Sequence, residues 1–117
     1  LRLKRMPGMQ DARLLAAGWL GPGDRAHFDE QMLRLDDAGM RDAFEYRGVV
    51  DRAGKARFYS EIDLFSVPTT YREPKGLFVL ESLASGVPVV LPDHGAFPEL
   101  IEGTRGIDLF PPGDVDR

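Results

Sequence analysis

Two glutamates, Glu73 and Glu81, stand with seven residues between them, and Pro74, Lys75 and Gly76 follow the first directly. An ionised carboxylate only accepts hydrogen bonds and takes two readily, which suits the vicinal diol of a sugar. Lys75 supplies a cation, and Gly76 supplies backbone that a ligand can approach closely because no Cβ intervenes. Leu77, Phe78, Val79, Leu80, Leu83 and Ala84 come next, a run interrupted only by Glu81 and Ser82. That composition predicts a helix apolar nearly all round and buried inside a domain, starting at Gly76 and closed by Gly86 and Pro88. Its first N–H groups and positive dipole end then face the 69–76 loop, where an anion gains up to ~2 kcal/mol when partly buried. Glu81 falls five residues beyond Gly76, about 7 Å along the axis, with its side chain leaning back toward the N-terminus. The chemistry this predicts is recognition of an anionic ligand at the helix mouth.

Such a helix needs a scaffold, and the flanking segments supply one. Two short β-branched runs, 62–67 before it and 87–91 after it, predict buried parallel strands, so that strand, loop, helix and strand make a βαβ unit. In such units the ligand crevice opens outside the carboxyl end of the strand. Upstream, 13–19 predicts a buried strand and 21–24 a loop. Asp24 is the expected N-cap of a helix over 25–38 whose Phe28, Met32 and Leu35 recur at helical spacing. Residues 44–50 read as a strand running into a loop, 51–55 as a turn, and 56–61 as a short helix. Downstream come a loop carrying His94 and Gly95, a short helix over 96–102, and a last strand over 106–110. This alternation predicts an α/β fold, a Rossmann-like parallel sheet with helices on both faces.

A length of 117 residues fits one domain with a real core. The net charge of −4 argues against a nucleic-acid partner, so any phosphate is held locally and not by a basic field. There are no cysteines, which excludes disulfides and thiolate metal sites, and no Cys/His metal spacing, P-loop or Gly-x-Ser-x-Gly elbow is present. No metal site is therefore expected. The apolar runs are shorter than a membrane span and no signal-peptide pattern opens the chain, so a cytoplasmic location is expected. The chain opens at Leu1 and ends just after Pro111, Pro112 and Gly113, and we expect a piece of a longer protein, cut at both ends.

The 73–81 stretch, with Glu81-Ser82-Leu83-Ala84-Ser85-Gly86-Val87-Pro88 continuing it, resembles the donor-site signature of retaining nucleotide-sugar glycosyltransferases of group 1. The resemblance extends from about residue 14 to 114. It implies a GT-B enzyme, two Rossmann-like domains facing each other across a cleft, with 1–117 as most of the C-terminal, donor-binding half. It further implies that Glu73 contacts the transferred sugar as the catalytic-site acid and that Glu81 holds the ribose hydroxyls. Backbone N–H groups near Gly76, Leu77 and Phe78 would approach the sugar and diphosphate. Val49 and Val50 would lie beside the nucleobase, and His94 and Gly95 would form the turn after the next strand. Lys75 stands where the family commonly has an aromatic residue and could pair with a phosphate. The basic pair that the family sets against the diphosphate belongs to an upstream segment, and Lys4 and Arg5 do not match it.

By the same resemblance there is no cofactor, and a nucleoside diphosphate sugar is the donor substrate. The acceptor would be a lipid carrier, a polysaccharide or a small molecule, met through a missing N-terminal domain. Any attachment to the inner face of the membrane would come through that domain too. A sugar-nucleotide epimerase or phosphorylase of the same fold, or a non-catalytic nucleotide-binding module, remains compatible with these residues.

Overall fold

The structure, a computed structural model, describes residues 2–114. Leu1 and residues 115–117, on which the expectation of cut ends rests, lie outside the described residues. The chain divides into two compact units, Leu1–Arg52 and Ala53–Arg117.

The first unit is built on two parallel strands, β1 (Leu14–Ala16) and β2 (Phe44–Tyr46), paired Leu14 to Phe44 through Ala16 to Tyr46. The ladder continues past the strands through Arg47 N–H to Ala16 O at 2.9 Å and Gly18 N–H to Gly48 O at 2.8 Å. Helix α1 (Arg25–Asp37) matches the expected span to one residue. Its helical repeat brings Phe28 against the sheet, 5.2 Å from the Tyr46 ring and 6.2 Å from Phe44. Two expectations are corrected here. Asp24 makes no side-chain cap bond, because a 3-10 turn over Pro22–Asp24 gives it helical backbone angles. The predicted 13–19 strand shrinks to three residues, with Leu14 and Trp19 exposed, because β1 has a single partner strand among the described residues.

The second unit holds a three-stranded parallel sheet, β3 (Phe65–Ser66), β4 (Val89–Pro92) and β5 (Ile107–Phe110), with β4 in the middle. Being central, β4 is the most buried strand: Val89 and Leu91 join Val79 and Phe97 in the core, with Phe65, Phe78, Leu83 and Leu100 packed around them. Phe65 and Phe78, then Phe78 and Phe97, meet edge to face at 6.0 Å, the arrangement aromatic quadrupoles favour. Helix α2 (Arg52–Ser60) starts four residues before the expected 56. Gly54 reads as a turn residue yet is absorbed into the helix at a cost of roughly 1 kcal/mol, offset by burial of Phe58 and Tyr59. The expected 62–67 strand is reduced to β3, the edge strand.

Helix α3 (Leu77–Ala84) has the predicted ends, with Gly76 at φ 66° before it and Gly86 at φ 78° after it. It is not buried all round. Val79 and Ser82 are fully buried, whereas Leu77 and Leu80 are 61% and 49% exposed. Only one face packs on the sheet, so apolar composition overstated the burial. Ser82 ties that face down: its hydroxyl donates to Val87 O at 3.0 Å and its carbonyl accepts the Val87 N–H at 3.0 Å. Helix α4 (Phe97–Ile101) is shorter than the expected 96–102, and Phe97 is its fully buried anchor.

Candidate functional site

Glu73 sits in the loop between β3 and α3. Its Oε1 accepts the backbone N–H groups of Lys75 at 3.1 Å and Gly76 at 3.0 Å. The Gly76 N–H, then that of Lys75, stabilises the anion and holds the carboxyl below the ordinary carboxylate range. The effect is to tether a carboxylate at the mouth of the helix. Gly76 adopts the left-handed conformation that lets the chain turn into α3, and a Cβ there would stand 3.0 Å from Leu100 and 3.5 Å from Phe97. Its missing side chain therefore makes room for α4, and its N–H is taken by Glu73. The N–H groups of Leu77 and Phe78 belong to the first turn, which leaves them without intrahelical acceptors, and no other acceptor serves them among the described residues. Lys75 is exposed.

The loop after β4 braces this one. Ala96 N–H donates to Glu73 O at 2.9 Å. Gly95, at φ 62°, lies so close that a Cβ would come within 2.7 Å of Glu73 O and 2.8 Å of Glu73 N. His94 Nε2 donates to Thr69 O at 2.8 Å, and its Nδ1 is buried without a partner among the described residues. The His94 ring lies 6.0 Å from Phe97. His94 and Gly95 thus join two loops, and through them β4 sets the backbone position of Glu73.

Glu81 lies half-buried on α3, and its partner is a lysine on α2. Lys55 Nζ stands 2.9 Å from Oε1 and 3.1 Å from Oε2. The Tyr59 hydroxyl donates toward Phe78 O at 3.2 Å and approaches Glu81 Oε2 at 3.5 Å. Burial first, then the charge of Glu81 and its hydrogen bond, push the Tyr59 phenol up to about 12. The cation that Glu81 meets is thus an exposed lysine and not a buried one. Lys55 and Tyr59 were missed as site residues by sequence reasoning. Their i, i+4 spacing puts them on one face of a helix, but nothing in the sequence says which element that face meets.

Val49 and Val50 follow β2 in the first unit, Val49 exposed and Val50 half-buried. Among the described residues no three His, Cys, Asp or Glu side chains gather as metal ligands. No helix there is long and apolar enough to cross a membrane.

A family model described as "Glycosyl transferases group 1" matches residues 2–117. A phosphatidyl-myo-inositol mannosyltransferase of Mycobacterium leprae is 31% identical over 116 residues, covering 96% of this chain and 29% of that protein. The lipopolysaccharide core biosynthesis mannosyltransferase LpsB of Rhizobium meliloti is 35% identical over 98 residues, 84% of this chain and 27% of that protein. Among solved structures, sucrose-phosphate synthase from Thermosynechococcus elongatus superposes with a TM-score of 0.72 at 28% identity, over 87% of this chain and 26% of that one. Anabaena HepE in complex with UDP-glucose gives 0.77 at 26% identity, over 95% of this chain and 29% of that one. The chain thus spans under a third of the length of each of these relatives. Its α/β fold with parallel sheets is that of GT-B glycosyltransferases. With the paired glutamates, the helix mouth and these matches together, the chain belongs to the group 1 glycosyltransferases.

Proposed function

We propose that this chain is the donor-binding part of an enzyme that moves a sugar from a nucleoside diphosphate sugar to an acceptor hydroxyl with retention of configuration. The observation that carries the reading is a pair of carboxylates, one in the loop at the mouth of α3 and one on the helix. Glu73 is tethered by two backbone N–H groups at the α3 mouth, and Glu81 stands further along α3 with a solvent-facing edge. Between them lie the unpaired N–H groups of Leu77 and Phe78.

In this reading the donor's diphosphate lies at the α3 N-terminus, where the dipole and those N–H groups stabilise the charge that grows as the sugar C1–O bond breaks. Glu73 accepts hydrogen bonds from the transferred sugar and favours the oxocarbenium-like transition state. Glu81 accepts from the ribose hydroxyls, and Lys75 is available to a phosphate. The name of the mycobacterial relative favours a lipid among the possible acceptors, and the HepE complex favours a nucleotide-sugar donor.

The test is an amide-shift titration of the chain with UDP, GDP, ADP and their sugar conjugates. Shifts centred on residues 73–81 and 94–95 that differ between bases are expected. Glu81→Gln should weaken every nucleotide by about tenfold or more, the worth of a hydrogen bond to a charged group. Glu73→Gln keeps an acceptor for the two loop N–H groups, so it should leave nucleotide affinity intact and reduce discrimination between sugars. Equal affinities in wild type and both variants would remove these assignments.

A further inference from the structure

We propose that Lys55 is a specificity-determining residue of the donor site: its ammonium occupies the edge of Glu81 that a ribose diol needs, and ribose binds by displacing it. This rests on Glu81 being the ribose acceptor, as proposed above.

A carboxylate offers about four lone-pair sites, two on each oxygen, and a vicinal diol bonds it best when each hydroxyl meets a different oxygen. Lys55 Nζ bridges those same two oxygens, at 2.9 and 3.1 Å. The ammonium and the diol are therefore competitors for one edge. The competition is winnable, because the Lys55 and Glu81 side chains are 48% and 42% exposed. An exposed ion pair shifts an equilibrium by about fivefold or less, and a released lysine regains water and side-chain freedom. Tyr59 stays behind. It has one proton and two acceptors, Phe78 O at 3.2 Å and Glu81 Oε2 at 3.5 Å, and its ring is buried, so it limits rotation of the carboxylate when the lysine leaves. A ligand with a single hydroxyl can use the free side of one oxygen without evicting Lys55. A diol cannot, so Lys55 compresses the preference for ribose over 2′-deoxyribose and makes it sensitive to salt.

The test uses whichever of UDP, GDP and ADP binds most tightly, together with its 2′-deoxy form, and reads the ratio of the two dissociation constants. The charged diphosphate is common to both ligands, so its own salt dependence cancels. In Lys55→Met the preference for ribose should rise about threefold, and it should no longer change between low and high salt. In wild type it should rise with salt as screening loosens the ion pair, and Lys55→Arg should behave as wild type. A merely structural role would weaken both ligands alike and leave the ratio unmoved. An unchanged or lower ratio in Lys55→Met, with ribose still preferred in wild type, overturns the proposal and spares the reading of Glu81. No preference for ribose in any variant, or no binding of any of the three nucleotides, overturns that reading and this proposal with it.

Discussion

Tyr59 couples the site to the core, and its ionisation makes that coupling measurable. Its phenol is pushed from 10.0 up to about 12, so the folded state favours the protonated form. The resulting stability is fully present below pH 10 and is lost as the pH rises through about 12. Urea midpoints taken at pH 9 and pH 11.5 should fall further in wild type than in Tyr59→Phe, and equal falls would contradict the assignment. Glu73 carries the opposite sign. Its carboxyl is held low by the Gly76 and Lys75 N–H groups, so its contribution is present above the ordinary carboxylate pKa and is lost as the pH falls through the folded value. A carboxyl carbon-13 titration should show Glu73 ionising below its exposed neighbours. At this scale the glutamates and Gly76 were legible, because their spacing survives in a short local stretch. Lys55 was not, since it is 26 residues from Glu81 and pairs with it only after α2 and α3 have packed.

The elements that matter most are two loops, one after β3 and one after β4, held together by His94, Gly95 and Ala96. Gly95→Ala would strain a backbone at φ 62° and drive a methyl into the Glu73 backbone. It should cost about 1 to 3 kcal/mol in urea unfolding and shift amides across 69–76. Gly23→Ala is the control: Gly23 has open space around its Cβ position and no positive φ, so it should be close to neutral. Helix boundaries were readable where punctuation was strong, as at Gly76 and Gly86, and in α1 through Phe28, Met32 and Leu35. They failed where one residue type carries two meanings. Gly54 reads as a turn and serves as helix, and 62–67 has the composition of a strand but only Phe65 and Ser66 find a partner. The apolar α3 run misled about burial for a related reason. Composition reports how much surface could be buried, and only packing decides which face is.

At the scale of the whole molecule, the two units differ in how they are held. Among the described residues the buried hydrophobic side chains, Phe58, Tyr59, Val79, Val87, Val89, Leu91 and Phe97, all belong to the second unit. The first relies on half-buried contacts such as Phe28 with Tyr46. Local opening is easiest where buried apolar contact is scarce. Amide exchange should therefore be slowest in β4 and α3 and faster in β1 and α1, and uniform protection would contradict this division of stability.

The close approach of Gly95 to Glu73 also constrains how the proposed donor preference could be transplanted. The 69–76 loop is moulded against 92–96 at a clearance that excludes even a methyl group. Chimeras that import only the first loop from a relative would inherit its glutamate and lose its seating. Under the proposed donor-binding reading, exchanging both loops together should transfer donor preference where exchanging one should not.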